Sequence, residues 1–328
     1  GLHHAAESGR HPRAVGIAAP RGGFSRLEEY EDTREARGLD CLSTIAGSKD
    51  AGQGIADFFE TRGALGSLTH LTAAGEIWAR TQISRRDRSV IVISSLTAMA
   101  REIELKQHIA GGLNHGLSVD EVDEILVQLA PYIGMPFCLS ASGIVDIVIA
   151  EREGTESREV PRAAAIVLDD EKRRAAGLDV LATLIGDPNL DPATTEAMIL
   201  ESQGDMGALV MDYAFGDVWS RPQLSRRDRS LIVISALTAM NMKHELEIHI
   251  GGALNHGLTR TQTHSLAHNH NRTPSQSDSN IPRLTHTQTA SYVVHPAQIY
   301  SCAASLILRL TRTQKHTHAP RFTHTQIK

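Results

Sequence analysis

Apolar positions recur along the chain at helical spacing, in blocks opened by capping residues and closed by glycines. Ser84, with Asp87 three residues on, is a capping-box-like start, and a nearly unbroken apolar run follows over 90–99. So continuous a run predicts a helix buried on most sides. Its β-branched residues would also suit a strand, but its length and the Ala98-Met99-Ala100 that ends it favour helix. A second helix is predicted over 102–112, stopping near Gly111, Gly112 and Gly116. Ser118 and Glu121 form another capping box and open a helix through 129, with Val119, Val122, Ile125, Leu126 and Leu129 on one face. Pro131 and Pro136 bracket a turn, after which an apolar helix runs to about 150. Upstream, 31–45 and 66–79 also read as helices, so the pattern predicts an all-α fold.

The pattern occurs twice. Residues 84–117 align without a gap on 225–258, at an offset of 141, with 24 of 34 positions identical. Gly63, Gly66, Gly75 and Trp78 correspond to Gly204, Gly207, Gly216 and Trp219, and Gly38-Leu39-Asp40 to Gly177-Leu178-Asp179 after a two-residue indel. A period this long is the duplication of a whole domain, not a solenoid repeat. The organisation read from it is a disordered segment over 1–30, a first helical module over 31–150, a linker over 151–170, a second module over 171–258 and a low-complexity tail over 259–328. Nothing after 258 is read as matching 118–150, so the second module is expected to be truncated and to expose apolar surface.

Composition narrows the class. The 328 residues are 41% hydrophobic, yet no charge-free apolar stretch reaches membrane-spanning length. Three scattered cysteines and no CxxC exclude a dithiol centre and a cysteine zinc site; with no apolar leader visible, they fit a reducing, cytoplasmic setting. The net charge is −5, but 261–328 carries seven Lys/Arg against Asp278, leaving −11 for the rest and disfavouring nucleic acid as a partner. The tail repeats Thr-His/Arg-Thr-Gln and lacks core-forming periodicity; its histidines show no metal-ligand spacing.

The candidate chemistry is a Glu–His pair. Glu104 and His108 are four apart, as are Glu245 and His249, so each pair shares a helix face. A neighbouring carboxylate is expected to raise the imidazole pKa and keep the imidazolium available as a proton donor. The competing reading is an exposed helix-surface bridge. Both pairs persist although Arg101, Lys106 and Gln107 become Met242, Glu247 and Ile248. His115 and His256 read as helix-terminal caps, Trp78 and Trp219 as core, and Tyr132 as a turn residue capping packing. Arg85, Arg86 and Arg88, with Arg226, Arg227 and Arg229, occupy a first helical turn, where they could hold a carboxylate. Pairing with Asp87 or Asp228, or an interface bridge, is the favoured alternative.

Together, Arg-Asp-Arg-Ser, the apolar helix, Glu-Leu-x-x-His-Ile, Leu-Asn-His-Gly-Leu-Ser-x-x-Glu and the Leu-Ala-Pro-Tyr-Ile-Gly-Met-Pro of 129–136 resemble the carboxymuconolactone decarboxylase family, over about 38–150 and 177–258. That resemblance implies an all-α, oligomeric protein. The family's hydroperoxidase group uses a CxxC before the His, but those positions read Arg101 and Glu104, then Met242 and Glu245, so the decarboxylase branch fits better. It implies a small carboxylated lactone as substrate and neither metal nor cofactor, since the carbanion left by CO₂ delocalises into the lactone carbonyl. His108 would be the acid, Glu104 its orienter and Arg88 a carboxylate or oxyanion clamp; His249, Glu245 and Arg229 would repeat these roles. A rival class is a non-catalytic assembly or binding module that keeps the fold for packing, a fused pair mimicking a dimer.

Overall fold

A computed structural model describes residues 24–187, 189 and 191–267, with side chains described from 34 to 263. Among these residues every regular element is helical. Module 1 runs α1 (Phe24–Ala46), α2 (Lys49–Glu60), α3 (Ala64–Leu68), a π-helical stretch π1 (Thr69–Trp78), α4 (Arg85–Ala98), α5 (Glu102–Asn114), α6 (Val119–Ile133) and α7 (Met135–Glu153). Module 2 repeats the order with α8 (Asp170–Ile185), α9 (Pro192–Leu209), π2 (Val210–Trp219), α10 (Arg226–Ala239), α11 (Lys243–Asn255) and α12 (Arg260–Ala267). No described helix is long and apolar enough to cross a membrane.

The capping residues act where the sequence places them. Ser84 and Ser225 each accept from the third backbone N–H of their helix, and Ser118 and Glu121 cap reciprocally. The proline turn differs: Pro131 lies inside α6, the chain turns at Gly134 with φ 90°, and Pro136 opens α7. Gly63 (φ 58°) separates α2 from α3, and Gly204 (φ 55°) kinks α9 at the equivalent point. Both take the left-handed backbone that glycine adopts without strain.

Two boundaries move. The first helix starts at Phe24, inside the segment expected to be disordered. The second module does not stop at 258: Thr259 and Gln262 cap α12 reciprocally, at the positions of Ser118 and Glu121. The low-complexity reading from 259 therefore began too early; 268–328 lies outside the described residues.

The modules meet as a pseudo-dimer. Arg86 donates to Asp228 at 3.0 Å and to Glu121 at 2.5 Å, while Arg227 donates to Asp87 at 2.6 Å. Reciprocal pairs of this kind mark an isologous interface, here within one chain. The interface-bridge reading of these two arginines holds, and neither is free to clamp a substrate.

α6 crosses onto module 2. Its Ile125 and Leu129 belong to the same buried cluster as Met211, Phe215 and Trp219 of π2. The bare apolar surface expected on module 2 is thus covered by module 1, because this helix packs across the pseudo-dimer as well as at home. Large apolar residues stay exposed in both modules, among them Leu65, Leu68 and Ile103 of module 1 and Met198 and Leu209 of module 2.

Glu124 of α6, 2% exposed, accepts from Arg229 of α10, 0% exposed, at 2.8 Å; Arg229 also donates to Gln128 Oε1 and to the Arg221 carbonyl, both at 2.7 Å. Arg221 Nε completes the cluster on Glu124 at 2.9 Å. Removing one member of a buried ion pair strands the other charge. Glu124→Ala should therefore destabilise the chain by about 3–5 kcal/mol, measured by urea unfolding. A loss below about 1 kcal/mol would show that Arg229 finds water or another acid.

Candidate active site

Each module places its Glu–His pair on the helix after the Arg-Arg-Asp-Arg helix, against the tryptophan that ends its π-helical stretch. The π-helical stretch itself lies close against the module's first helix. A Cβ on Gly216 would fall 2.3 Å from the Arg173 carbonyl, and one on Gly75 2.3 Å from the Arg34 carbonyl. Glycine at these points lets Trp219 and Trp78 reach the pairs.

In module 2, His249 stacks on Trp219, with ring centroids 6.2 Å apart and planes 15° apart. Tyr132 of α6 meets the same imidazole edge-on at 5.3 Å, and its hydroxyl accepts from Trp219 Nε1 at 2.8 Å. His249 and Glu245 line a cavity of about 40 Å³ with Tyr132, Val210, Phe215 and Met242. His249 Nδ1 is buried and without a hydrogen-bond partner. In module 1, His108 stacks on Trp78 at 5.6 Å and 19°, but Glu104 is exposed and His108 only half-buried. Neither Glu forms a hydrogen bond or ion pair with its His among the described residues.

The second histidine of each module is fixed. Thr183 Oγ1 donates to the Val180 carbonyl and accepts from Arg226 at 2.7 Å, so it can only accept from His256 Nε2, at 3.1 Å. Nδ1 of His256 then accepts from the Ser230 hydroxyl at 2.8 Å. Thr44, Arg85, His115 and Ser89 repeat this network. Both histidines are C-caps of their helices, as the sequence indicates, and both are held as neutral rings that brace the tryptophans.

The charge state of the paired histidines overturns the expectation of a resident imidazolium. Burial pushes His249 down to about 4, helped by the neighbouring His256. His108 is likewise pushed down to about 4, by burial first and His115 second, with Glu104 opposing weakly. Desolvation outweighs the carboxylate because the rings lie against indoles while Glu104 sits in water.

The arginine assignments also change. Arg229, expected to clamp a substrate carboxylate, is committed to Glu124, Gln128 and the Arg221 carbonyl and does not line the cavity. Arg88 is buried, donates to the Arg80 carbonyl at 2.8 Å, and has no carboxylate partner among the described residues. Tyr132 lies in the last turn of α6 and is the site residue that sequence reasoning placed wrongly. Its signal, a single tyrosine beside a proline, carries no information about a partner 87 residues away.

Two segments, 65–146 and 204–269, match the family model described as "Carboxymuconolactone decarboxylase family". The chain is similar to a protein named 4-carboxymuconolactone decarboxylase from Acinetobacter baylyi, 26% identical over 37% of this chain and 90% of that protein. It is also similar to one named nitrosuccinic acid decarboxylase from Metarhizium robertsii, 30% identical over 26% of this chain and 59% of the other. A third, named peroxisomal protein 2, from Schizosaccharomyces pombe, is 29% identical over 43% of this chain and 63% of its own length. The match thus spans about three fifths of the latter two proteins.

The buried histidines make stability depend on pH. The unfolded chain protonates His249 near the ordinary 6.5, the folded chain only near 4. Between those values the unfolded state binds more protons, so stability is full above about pH 7 and falls as pH drops, by at most about 1.4 kcal/mol per pH unit for this residue. The melting temperature should decrease from pH 7 to pH 5, and more shallowly in His249→Gln. Parallel curves would mean that His249 is not held neutral in the fold.

Proposed function

The chain is a tandem pair of carboxymuconolactone decarboxylase family modules, and from that premise we propose that it is a cofactor-independent decarboxylase of small acids that carry their own electron sink, with a Glu–His pair handling the proton. The observation that carries this reading is the placement of Glu245 and His249 together in an apolar cavity, with His249 Nδ1 unpartnered. The compounds in two relatives' names share the required chemistry. Loss of CO₂ from a carboxymuconolactone leaves a carbanion delocalised into the lactone carbonyl; loss of CO₂ from nitrosuccinate leaves one delocalised into the nitro group.

The neutral resting imidazole fits a complete cycle. An anionic substrate beside His249 favours its protonated form, so a solvent proton enters with the substrate. The C–CO₂ bond breaks, its electron pair moves into the carbonyl or nitro group, and CO₂ leaves. His249 then gives its proton to carbon and returns to the neutral state. Glu245 steadies the transient imidazolium. The cavity of about 40 Å³ holds a water or two, so a lactone enters by displacing Met240 and Met242, whose unbranched side chains change rotamer readily.

The test is CO₂ release from γ-carboxymuconolactone and from nitrosuccinate at pH 8. Replacing both His108 and His249 by Gln should cut turnover about 10²–10⁴-fold with the helical signal retained. Near-full turnover in the double variant would reject proton transfer by these residues and leave the fold as an assembly module.

A further inference from the structure

The two sites are not equivalent. Glu124, Gln128 and Tyr132 lie at i, i+4 and i+8 on α6 and form one stripe facing module 2. By sequence alone, the repeat offset of 141 aligns these three with Ser265, Asn269 and Thr273, the last two lying outside the described residues, and none of the aligned residues is an acid or a phenol. Module 1's own surroundings match that loss. Arg88, the counterpart of Arg229, lacks a carboxylate among the described residues; Glu104 is exposed. Val210, Phe215 and Met242, which line the module 2 cavity, are replaced by Thr69, Ala74 and Arg101.

We propose that the chain carries a single working site, the one built around His249, with Tyr132 of module 1 as its positioning residue and the Glu104–His108 pair left without a counterpart. The inference rests on the decarboxylase reading above and narrows it. The Tyr132 hydroxyl fixes the Trp219 indole, and the phenol and indole together confine the His249 imidazole on two sides. A proton donor held in one orientation reaches carbon far more often than one free to turn. Among the described residues His108 has its tryptophan and no phenol against it.

The experiment follows CO₂ release from γ-carboxymuconolactone and nitrosuccinate by the full chain and by single variants. Far-UV ellipticity equal to the parent's qualifies each, with His249→Asn standing in where His249→Gln fails to fold. His249→Gln should lose at least about 100-fold and His108→Gln stay within about twofold. Tyr132→Phe should lower kcat about 10–100-fold with KM nearly unchanged, since only the placement of the donor is lost. In a Trp78→Phe background Trp219 is the remaining tryptophan, and there Tyr132→Phe should shift the emission maximum as the indole N–H loses its acceptor. Equal halving of turnover by His108→Gln and His249→Gln would overturn the single-site inference while leaving the chemistry intact. Full turnover in both single variants and in their combination would reject the functional reading, as would a parent chain inert on both acids, and the single site falls with it. Parental kcat and unmoved emission in Tyr132→Phe would remove Tyr132 from the site.

Discussion

A guanidinium taken wholly out of water is costly without a carboxylate, and Arg229 meets Glu124 from the other module. That requirement sets the position of α6. With Glu124 pinned between Arg229 and Arg221, the helix has no freedom to slide, and residues one and two turns on come to fixed places. Gln128 reaches Arg229, and Tyr132 arrives over Trp219 and His249. The buried pair is worth little as net stabilisation beside an apolar alternative; its effect is registry, holding an aromatic wall against a titratable ring.

The helices were readable in the sequence because their signals are local. Ser84, Ser118 and Ser225 announce helix starts within four residues, and the spacing of Val122, Ile125, Leu126 and Leu129 marks one face without reference to the rest of the chain. The Glu–His pairs were readable for the same reason, reinforced by the repeat. What lay over each pair was not. Glu124 and Arg229 are 105 residues apart, and nothing in either neighbourhood names the other. Arg229 looks from sequence like a first-turn cation; its carboxylate partner comes from α6 of the other module. The histidine charge state was misjudged on the same ground, since the carboxylate four residues away was visible and the desolvating indole, 30 residues upstream, was not. The cap formed by Thr259 and Gln262 was hidden by its likeness to the Thr-rich repeats that follow.

On the single-site proposal, duplication lets a loss be tolerated on one side only. In a symmetric pair each module lends its sixth helix to the other, and each receives one. Among the described residues module 1 lends and module 2 receives: Trp219, Phe215 and Met211 are buried under α6. On that proposal, one complete site would suffice once two modules share one chain, and the aligned Ser265, Asn269 and Thr273 would mark the positions released from that role.

The neutral imidazole follows from the same burial and gives it a chemical use. A histidine resting as a cation in an apolar cavity would need a fixed counter-ion, and a carboxylate placed against it would hold the proton too tightly to release to carbon. Glu245 shares the cavity with His249 but forms no hydrogen bond or ion pair with it among the described residues; burial holds His249 near 4 and its Nδ1 is unpaired. In the proposed reaction an incoming anion raises its affinity for a proton, so the acid would be created by the molecule that consumes it. In that proposed sequence, when CO₂ departs the charge that stabilised the imidazolium would move onto the delocalised carbanion, and proton transfer to carbon would remove both charges together. Such a sequence draws on desolvation that an exposed helix-surface pair would lack, and here a tryptophan of one module and a tyrosine of the other supply it.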